Sequence, residues 1–265
     1  MRPIVTLTTD FGLSDSFVGA VKAVLLSRCR DLQIVDITHD VPPQNVLVGA
    51  LRLASAARYF PPGTVHLAVV DPGVGSARRA VAISAGGHYF VGPDNGVFTF
   101  ALPGDRRDRR IVELTNSALW LERPSNTFHG RDIFAPVAAH LACGGSLDVL
   151  GTAVASVVEI ALPVPDRAAQ SVVGIVFDVD RFGNLITNVR PDDYEGWTVL
   201  SLRVGPIQVD GLSSFYDPAR QFVAVVDSDG WLEIAAPGAN ASRRLAVDVG
   251  DVVAVQLGVA AGTET

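Results

Sequence analysis

The sequence predicts an α/β protein in two parts: an N-terminal α/β sandwich on a mainly parallel sheet, followed by a C-terminal antiparallel β-barrel. Three observations lead there. Strand-like and helix-like stretches alternate through the first 160 residues. The texture then changes at ALPVPDRAAQ, a polar stretch with two prolines. Beyond it, short alternating strands recur with turn residues between them and little helix. We place the first domain at 1–163, the second at 172–265, and a linker at about 164–171. A chain of 265 residues has room for both, each with its own core.

The elements follow in order. PIVTLTTD is an apolar run ending in acid, and DSFVGAVKAVLLSRC has apolar residues at helical spacing with Ser14 or Asp15 as N-cap. LQIVDI is the next strand, NVLVGALRLASAARYF the next helix, and TVHLAVVD the third strand. This rhythm predicts parallel strand–helix–strand units. AVAISAGGHYFVGPDNG reads as a hairpin followed by a turn at Asp94–Gly96, and RDIFAPVAAHLACGG as a helix stopped by two glycines. After the linker, VVGIVFDVD, NLITNV, TVLSLRV, PIQVDG, QFVAVVD, WLEIAA and DVVAVQL supply the barrel strands. There is no internal repeat.

Composition excludes several partners. With 48% hydrophobic and 18% charged residues the chain is globular, and a net charge of -7 argues against a nucleic-acid partner. No apolar run approaches the roughly 18 residues of a membrane span. The first residues enter a strand at once, leaving no room for a signal peptide, so a cytoplasmic location is expected. Cys29 and Cys143, the only cysteines, show no motif spacing and are expected as buried thiols.

Ligands of open α/β sheets bind beyond the carboxyl ends of the strands. Two such ends carry acids, Asp10 in TTDFG and Asp71 in VVDPG, and parallel strands would bring both to one edge. The turn after Asp71, VVDPGVGSARRAV, has three readings: a phosphate cradle, a structural corner with a salt bridge, or half of a catalytic site. Gly73-x-Gly75-x-x-Arg78 lacks the third glycine of the dinucleotide fingerprint, and the Gly-Lys-Ser/Thr of a Walker loop is absent. The turn can instead fold Arg78 back onto Asp71. Among the histidines, His66 and His140 lie inside regular elements, His88 in a hairpin, and His39 in DITHD has acidic neighbours but no second histidine at ligand spacing. No metal site is expected. His129, in NTFHGRDIFA, stands at a glycine-marked loop entering a helix, a common place for active-site residues. In the barrel, FDVDRFGNLITN sets Asp180, Asn184 and Asn188 around a corner at Phe182 and Gly183, readable as turn chemistry or as a grip on an ammonium and a purine. VDSDGWLEIAAPGAN adds a turn at Ser228–Gly230 and a break at Pro237–Gly238.

TTDFG, DPGVGSARR, TFHGRDIFAP and DRFGNLITN, in that order and spacing, resemble the S-adenosylmethionine hydroxide adenosyltransferases, hydrolytic relatives of the S-adenosylmethionine-dependent fluorinase and chlorinase. The resemblance runs from Thr8 to about Asn240. It implies hydrolysis of S-adenosyl-L-methionine to adenosine and L-methionine by in-line attack of activated water at the 5′ carbon. It also implies a homotrimer with the substrate between domains of neighbouring subunits, and no cofactor. The family's Asp–Arg–His trio falls on Asp71, Arg78 and His129: Arg78 would stabilise developing hydroxide, and Asp71 and His129 would fix the water and accept its proton. Asp10 matches the position that holds the ribose hydroxyls, Asp180 and Ser228 positions at the methionine end, and Asn184 one that reads adenine. Phe128 and Phe182 would line the pocket. Glu233 and the backbone from Ala236 to Gly238 fall where the barrel meets adenine. The halogenases carry tyrosine where this chain has Asp71, lack His129, have tryptophan at Gln44, and in fluorinases insert a loop after AVAIS. Asp229 and Ala236 stand where fluorinases have arginines. The departures at Asp71, His129, Gln44 and the missing loop favour water over halide, while those at Asp229 and Ala236 bear on the substrate contacts at the barrel. A halogenase remains the alternative within the family, to be told by 5′-halo-adenosine formed in concentrated halide. A non-catalytic adenosine or S-adenosylmethionine binding protein is the alternative outside it, excluded if adenosine and methionine accumulate together.

Overall fold

In the computed structural model, which describes residues 2–259, the chain divides into two compact units that meet in sequence between Ile160 and Ala161. The first contains β1 (Ile4–Thr9), α1 (Phe17–Arg28), β2 (Gln33–Thr38), α2 (Val46–Ala57), β3 (Val65–Val69), β4 (Ala80–Ala85), β5 (His88–Pro93), β6 (Arg110–Glu113), α3 (Ala135–Ala142) and β7 (Thr152–Val154). Its sheet runs β2-β1-β3-β5-β4-β6-β7. The pairings β2-β1, β1-β3 and β3-β5 are parallel, and the rest are antiparallel. The sheet is therefore mixed, with its parallel half built from the strand–helix–strand units.

Alternation along the strands assigns the two faces. Val5 and Leu7 of β1 with Val65, Leu67 and Val69 of β3 pack against α1 and α3 through Val21, Leu25, Val137 and Leu141. On the opposite face Ala68, Ile83 and Phe90 meet Leu53 and Ala57 of α2. Each such large side chain, fully buried, contributes about 1.5–3 kcal/mol. His66 belongs to this second face: it is 0% exposed, stacks on Phe90, and its Nδ1 lies 2.8 Å from Thr6 Oγ1. Burial first, then the neighbouring His88, pushes its pKa down to about 3.

Two expectations are corrected here. The N-cap of α1 is Ser16, not Ser14 or Asp15, which stay in the exposed loop leaving β1. Cys29 and Cys143 are not thiols but a disulfide: they cap the C-termini of α1 and α3, and because both helices pack on one face their Cα atoms come within 6.1 Å.

The second unit contains β8 (Asp166–Ala168), β9 (Ser171–Val179), β10 (Leu185–Thr187), β11 (Trp197–Val204), β12 (Ile207–Asp210), β13 (Val223–Val226), β14 (Leu232–Ala235), α4 (Ala241–Leu245) and β15 (Val252–Val259). Every strand pairing is antiparallel, in the order β12-β11-β15-β9-β10-β14-β13 with β8 on β9. The end strands β12 and β13 also touch, so the sheet curls into a nearly closed barrel around Val176, Leu185, Leu202, Leu232, Ile234 and Val255. The stretch read as linker thus contributes a strand, β8, through backbone pairing alone.

Candidate active site

In the first unit the parallel register places Thr9 of β1 opposite Val69 of β3. Asp10 and Asp71 therefore leave adjacent strands at the same carboxyl edge. Asp10 is held from the neighbouring loop, since the Gln44 backbone N–H donates to its Oδ2 at 2.8 Å. Gln44 has φ +66°, a left-handed conformation that a non-glycine residue adopts only at a cost.

The turn after Asp71 closes on itself. Val74 N–H donates to Asp71 O and Ser76 N–H to Gly73 O, so these amides are not free to cradle a phosphate. Arg78 comes back as a fork on the acid: Nε donates to Asp71 Oδ1 at 2.8 Å and Nη2 to Oδ2 at 2.5 Å. The side chains are only 10% and 5% exposed, which makes this a sheltered bidentate pair rather than a surface one. Gly75 has a second reason to lack a side chain. Its φ is +76°, and an added Cβ would lie 2.3 Å from the carbonyl oxygen of Asn126. The glycine lets this turn press against the loop that leads to His129.

His129 precedes a π-helical turn, Gly130–Phe134, that runs directly into α3. Its Nδ1 lies 2.8 Å from Arg78 Nη2. A guanidinium only donates, so Nδ1 must accept, and the proton of the neutral ring sits on Nε2. Burial first, and the Arg78 charge second, hold the His129 pKa below the ordinary value, against the opposite pull of Asp71 and Asp132. The free edge of His129 is then an N–H donor. The Asp71 oxygens keep lone pairs beyond those used by Arg78. Phe134, 0% exposed, lies beneath the Arg78 guanidinium at 5.3 Å from the ring centroid. Phe128 joins Phe11 and Phe17 in an aromatic trio with centroids 5.3–6.1 Å apart.

The second unit gathers the barrel residues. Asp180 Oδ1 accepts from the backbone N–H groups of Phe182 and Asn184, and its Oδ2 from Asn184 Nδ2 at 3.0 Å. The Asp180 side chain is thus engaged in turn hydrogen bonds, while Phe182 projects from this corner 76% exposed. Ser242 N–H donates to Gly183 O, tying the corner to the segment after β14. There Ala239 N–H closes a turn on Ala236 O, with Gly238 at φ +73°. Ser228 lies in the Asp227–Trp231 turn between β13 and β14. Glu233 on β14 is only 4% exposed, and its Oε1 has no hydrogen-bond partner. Burial chiefly, with the charges of Asp180 and Asp227, pushes its pKa up to about 7 despite a hydrogen bond from Tyr216. Tyr216 and Asp227 escaped the sequence reading because SSFYDPAR and VVDSDG carry only turn signals. Among the described residues no group of three or more His, Cys, Asp or Glu is arranged to hold a metal ion, and no helix is long and apolar enough to cross a membrane.

Against this geometry the comparisons with known proteins are specific. Residues 5–151 match the SAM hydroxide adenosyltransferase N-terminal domain and residues 174–254 the corresponding C-terminal domain. The chain is 43% identical over 260 residues to the (R)-S-adenosyl-L-methionine hydrolase of Salinispora tropica, covering 97% of this chain and 98% of that protein. A crystal structure of a conserved protein from Thermotoga maritima superposes with a TM-score of 0.82 at 37% identity, covering 96% of this chain and 99% of that one. The fluorinase of Nocardia brasiliensis is similar at a lower level, 28% identical over 294 residues, covering 97% of this chain and 98% of the fluorinase.

Proposed function

The chain belongs to the S-adenosylmethionine hydroxide adenosyltransferase family, and from that premise we propose that it hydrolyses (R)-S-adenosyl-L-methionine to adenosine and L-methionine. Water attacks the 5′ carbon in line with the sulfonium. The new C–O bond forms as the C–S bond breaks, the electron pair leaves with sulfur as a neutral thioether, and the proton of the water passes to solvent by way of a base. Such a leaving group needs no acid, so the protein's task is to supply a good nucleophile in the right place.

The observation that carries this reading is the single Arg78 nitrogen shared between Asp71 and His129. A water beside this cluster meets a carboxylate that takes its proton, general-base help of about 10²–10⁴-fold. It also meets a guanidinium that stabilises developing hydroxide and the His129 Nε2–H, which fixes a lone pair. Orienting that water along the line of displacement adds further rate. Asp10 holds the ribose hydroxyls, and Phe128 flanks the nucleoside. On the barrel, Asn184 and the Ala236–Gly238 backbone meet the adenine, Asp180 and Ser228 the methionine end, with Phe182 and Glu233 lining the pocket. No cofactor is needed. A homotrimer and a cytoplasmic location complete the proposal, the first supported by the family resemblance and tested by light scattering.

Incubation with S-adenosylmethionine and chromatographic identification of the products tests the reading. Adenosine and methionine should appear in equal amounts, and Arg78→Ala should abolish them while ligand still binds. Undiminished adenosine release by Arg78→Ala would remove the assignment of Arg78 to the nucleophile.

A further inference from the structure

Behind Asp10 lies a chain of polar side chains that the reaction itself does not use, buried at Thr9 and His39 and open to solvent at Asp36 and Lys22. Lys22 Nζ on α1 bonds Asp36 Oδ2 on β2 at 2.6 Å. Asp36 Oδ1 lies 3.1 Å from His39 Nε2, a close electrostatic contact that falls short of hydrogen-bond geometry. His39 Nδ1 lies 2.8 Å from Thr9 Oγ1, and that oxygen accepts the backbone N–H of Phe11 at 3.3 Å. His39 is 5% and Thr9 2% exposed.

A hydroxyl, an imidazole and a carboxylate in series look like a nucleophile triad. Two facts refuse that role. Thr9 Oγ1 is sealed from solvent, and one of its lone pairs is committed to Phe11. Instead the contacts run in series: Phe11 N–H donates to Thr9 Oγ1, Thr9 Oγ1 pairs with His39 Nδ1, and His39 Nε2 faces Asp36. Burial raises the Asp36 pKa, but Lys22 and His39 outweigh it and lower it, so the chain ends on a carboxylate. The backbone repeats the link. Gly12 N–H donates to His39 O at 2.8 Å and Val41 N–H to Thr9 O at 3.3 Å. The chain thus locks residues 9–12 against residues 39–44. Asp10 sits in the first segment, and the second carries the left-handed Gln44 whose N–H bonds Asp10 Oδ2.

We propose that Thr9 and His39 are positioning residues that fix the Asp10 carboxylate for a vicinal diol, so that ribose discrimination is set from inside the protein. The inference rests on the reading of Asp10 as the ribose ligand. It assigns the discrimination to a chain the substrate never touches.

The test compares inhibition by adenosine and by 2′,3′-dideoxyadenosine in the full-length enzyme. In the native enzyme the diol should tighten binding roughly tenfold or more, as hydrogen bonds to a charged group do. Asp10→Asn should lose that ratio. Thr9→Val, which keeps the shape and removes the hydroxyl, should reduce it several-fold with dideoxyadenosine inhibition unchanged, Thr9→Ser should restore it, and His39→Gln should fall with Thr9→Val. A change in packing alone would shift both inhibitors together. If Asp10→Asn loses the ratio while folded Thr9→Val and His39→Gln keep it, the positioning role is wrong and the Asp10 reading stands. If neither the native enzyme nor Asp10→Asn distinguishes the two nucleosides, the Asp10 reading is wrong and this inference goes with it.

Discussion

Arg78 donates from Nη2 to His129 Nδ1 at 2.8 Å, and this one contact decides which tautomer the histidine adopts. It also decides how the enzyme should respond to acid. Burial first and the Arg78 charge second depress the His129 pKa, so the folded protein keeps the ring neutral to lower pH than an unfolded chain does. As pH falls through that depressed value, Nδ1 takes a proton and the contact with Arg78 becomes donor against donor. The acid limb of kcat/KM should lie below the ordinary histidine value of about 6.5. In His129→Asn, which offers an acceptor that does not titrate, that limb should disappear. A limb at or above the ordinary value in the native enzyme would contradict the assignment.

Gly75→Ala tests how the site is assembled. The added methyl would lie against the Asn126 carbonyl oxygen and would strain a backbone at φ +76°. We expect a protein that folds, with kcat lowered at least tenfold, because the turn that carries Arg78 must move away from the loop that carries His129. Unchanged kcat would show that the two loops do not depend on their close approach.

Glu233 should make the barrel lose stability as pH rises from about 4.5 to about 7. Its folded pKa, about 7, lies above the unfolded value of 4.5. The folded state therefore binds the proton more tightly, and stability is fully present below about 4.5 and lost as pH rises through about 7. The loss is at most about 3 kcal/mol. Chemical denaturation at a series of pH values should show this slope in the native protein and a flatter one in Glu233→Gln. Equal slopes would mean that the carboxyl is already ionised in the folded state.

The Cys29–Cys143 bridge closes a separation of 114 residues. Purified under oxidising conditions, the protein should resist alkylation until reduced, by mass spectrometry. Cys143→Ser should be less stable by about 2–4 kcal/mol. Two alkylated cysteines without reductant would contradict the bridge.

Much of this architecture was legible in the residues. The parallel half of the sheet followed from apolar runs of strand length separated by helical spacing, and the Asp71–Arg78 fork was among the readings open to a turn whose glycines permit Arg78 to fold back. Other features depend on partners that sequence does not place. RIVE and TAV, which form β6 and β7, are short and lie among charged or small residues, and the pairing that makes them strands comes from β4 for β6 and from β6 for β7. DRA reads as linker because β8 has no alternation, only a backbone ladder to β9. The cysteines show no spacing signal because their proximity arises from the packing of α1 on α3. His39 carries no signal of its own for the same reason: its partner Thr9 lies on β1, 30 residues away in sequence.

The central claim is that solvent water, held by Asp71, Arg78 and His129, attacks the 5′ carbon. Turnover of S-adenosylmethionine in ¹⁸O-enriched water, read by mass spectrometry of both products, tests it directly. The account predicts heavy oxygen at the 5′ hydroxyl of adenosine and none in methionine. Unlabelled adenosine, or 5′-chloroadenosine accumulating in its place when chloride is present, would contradict it.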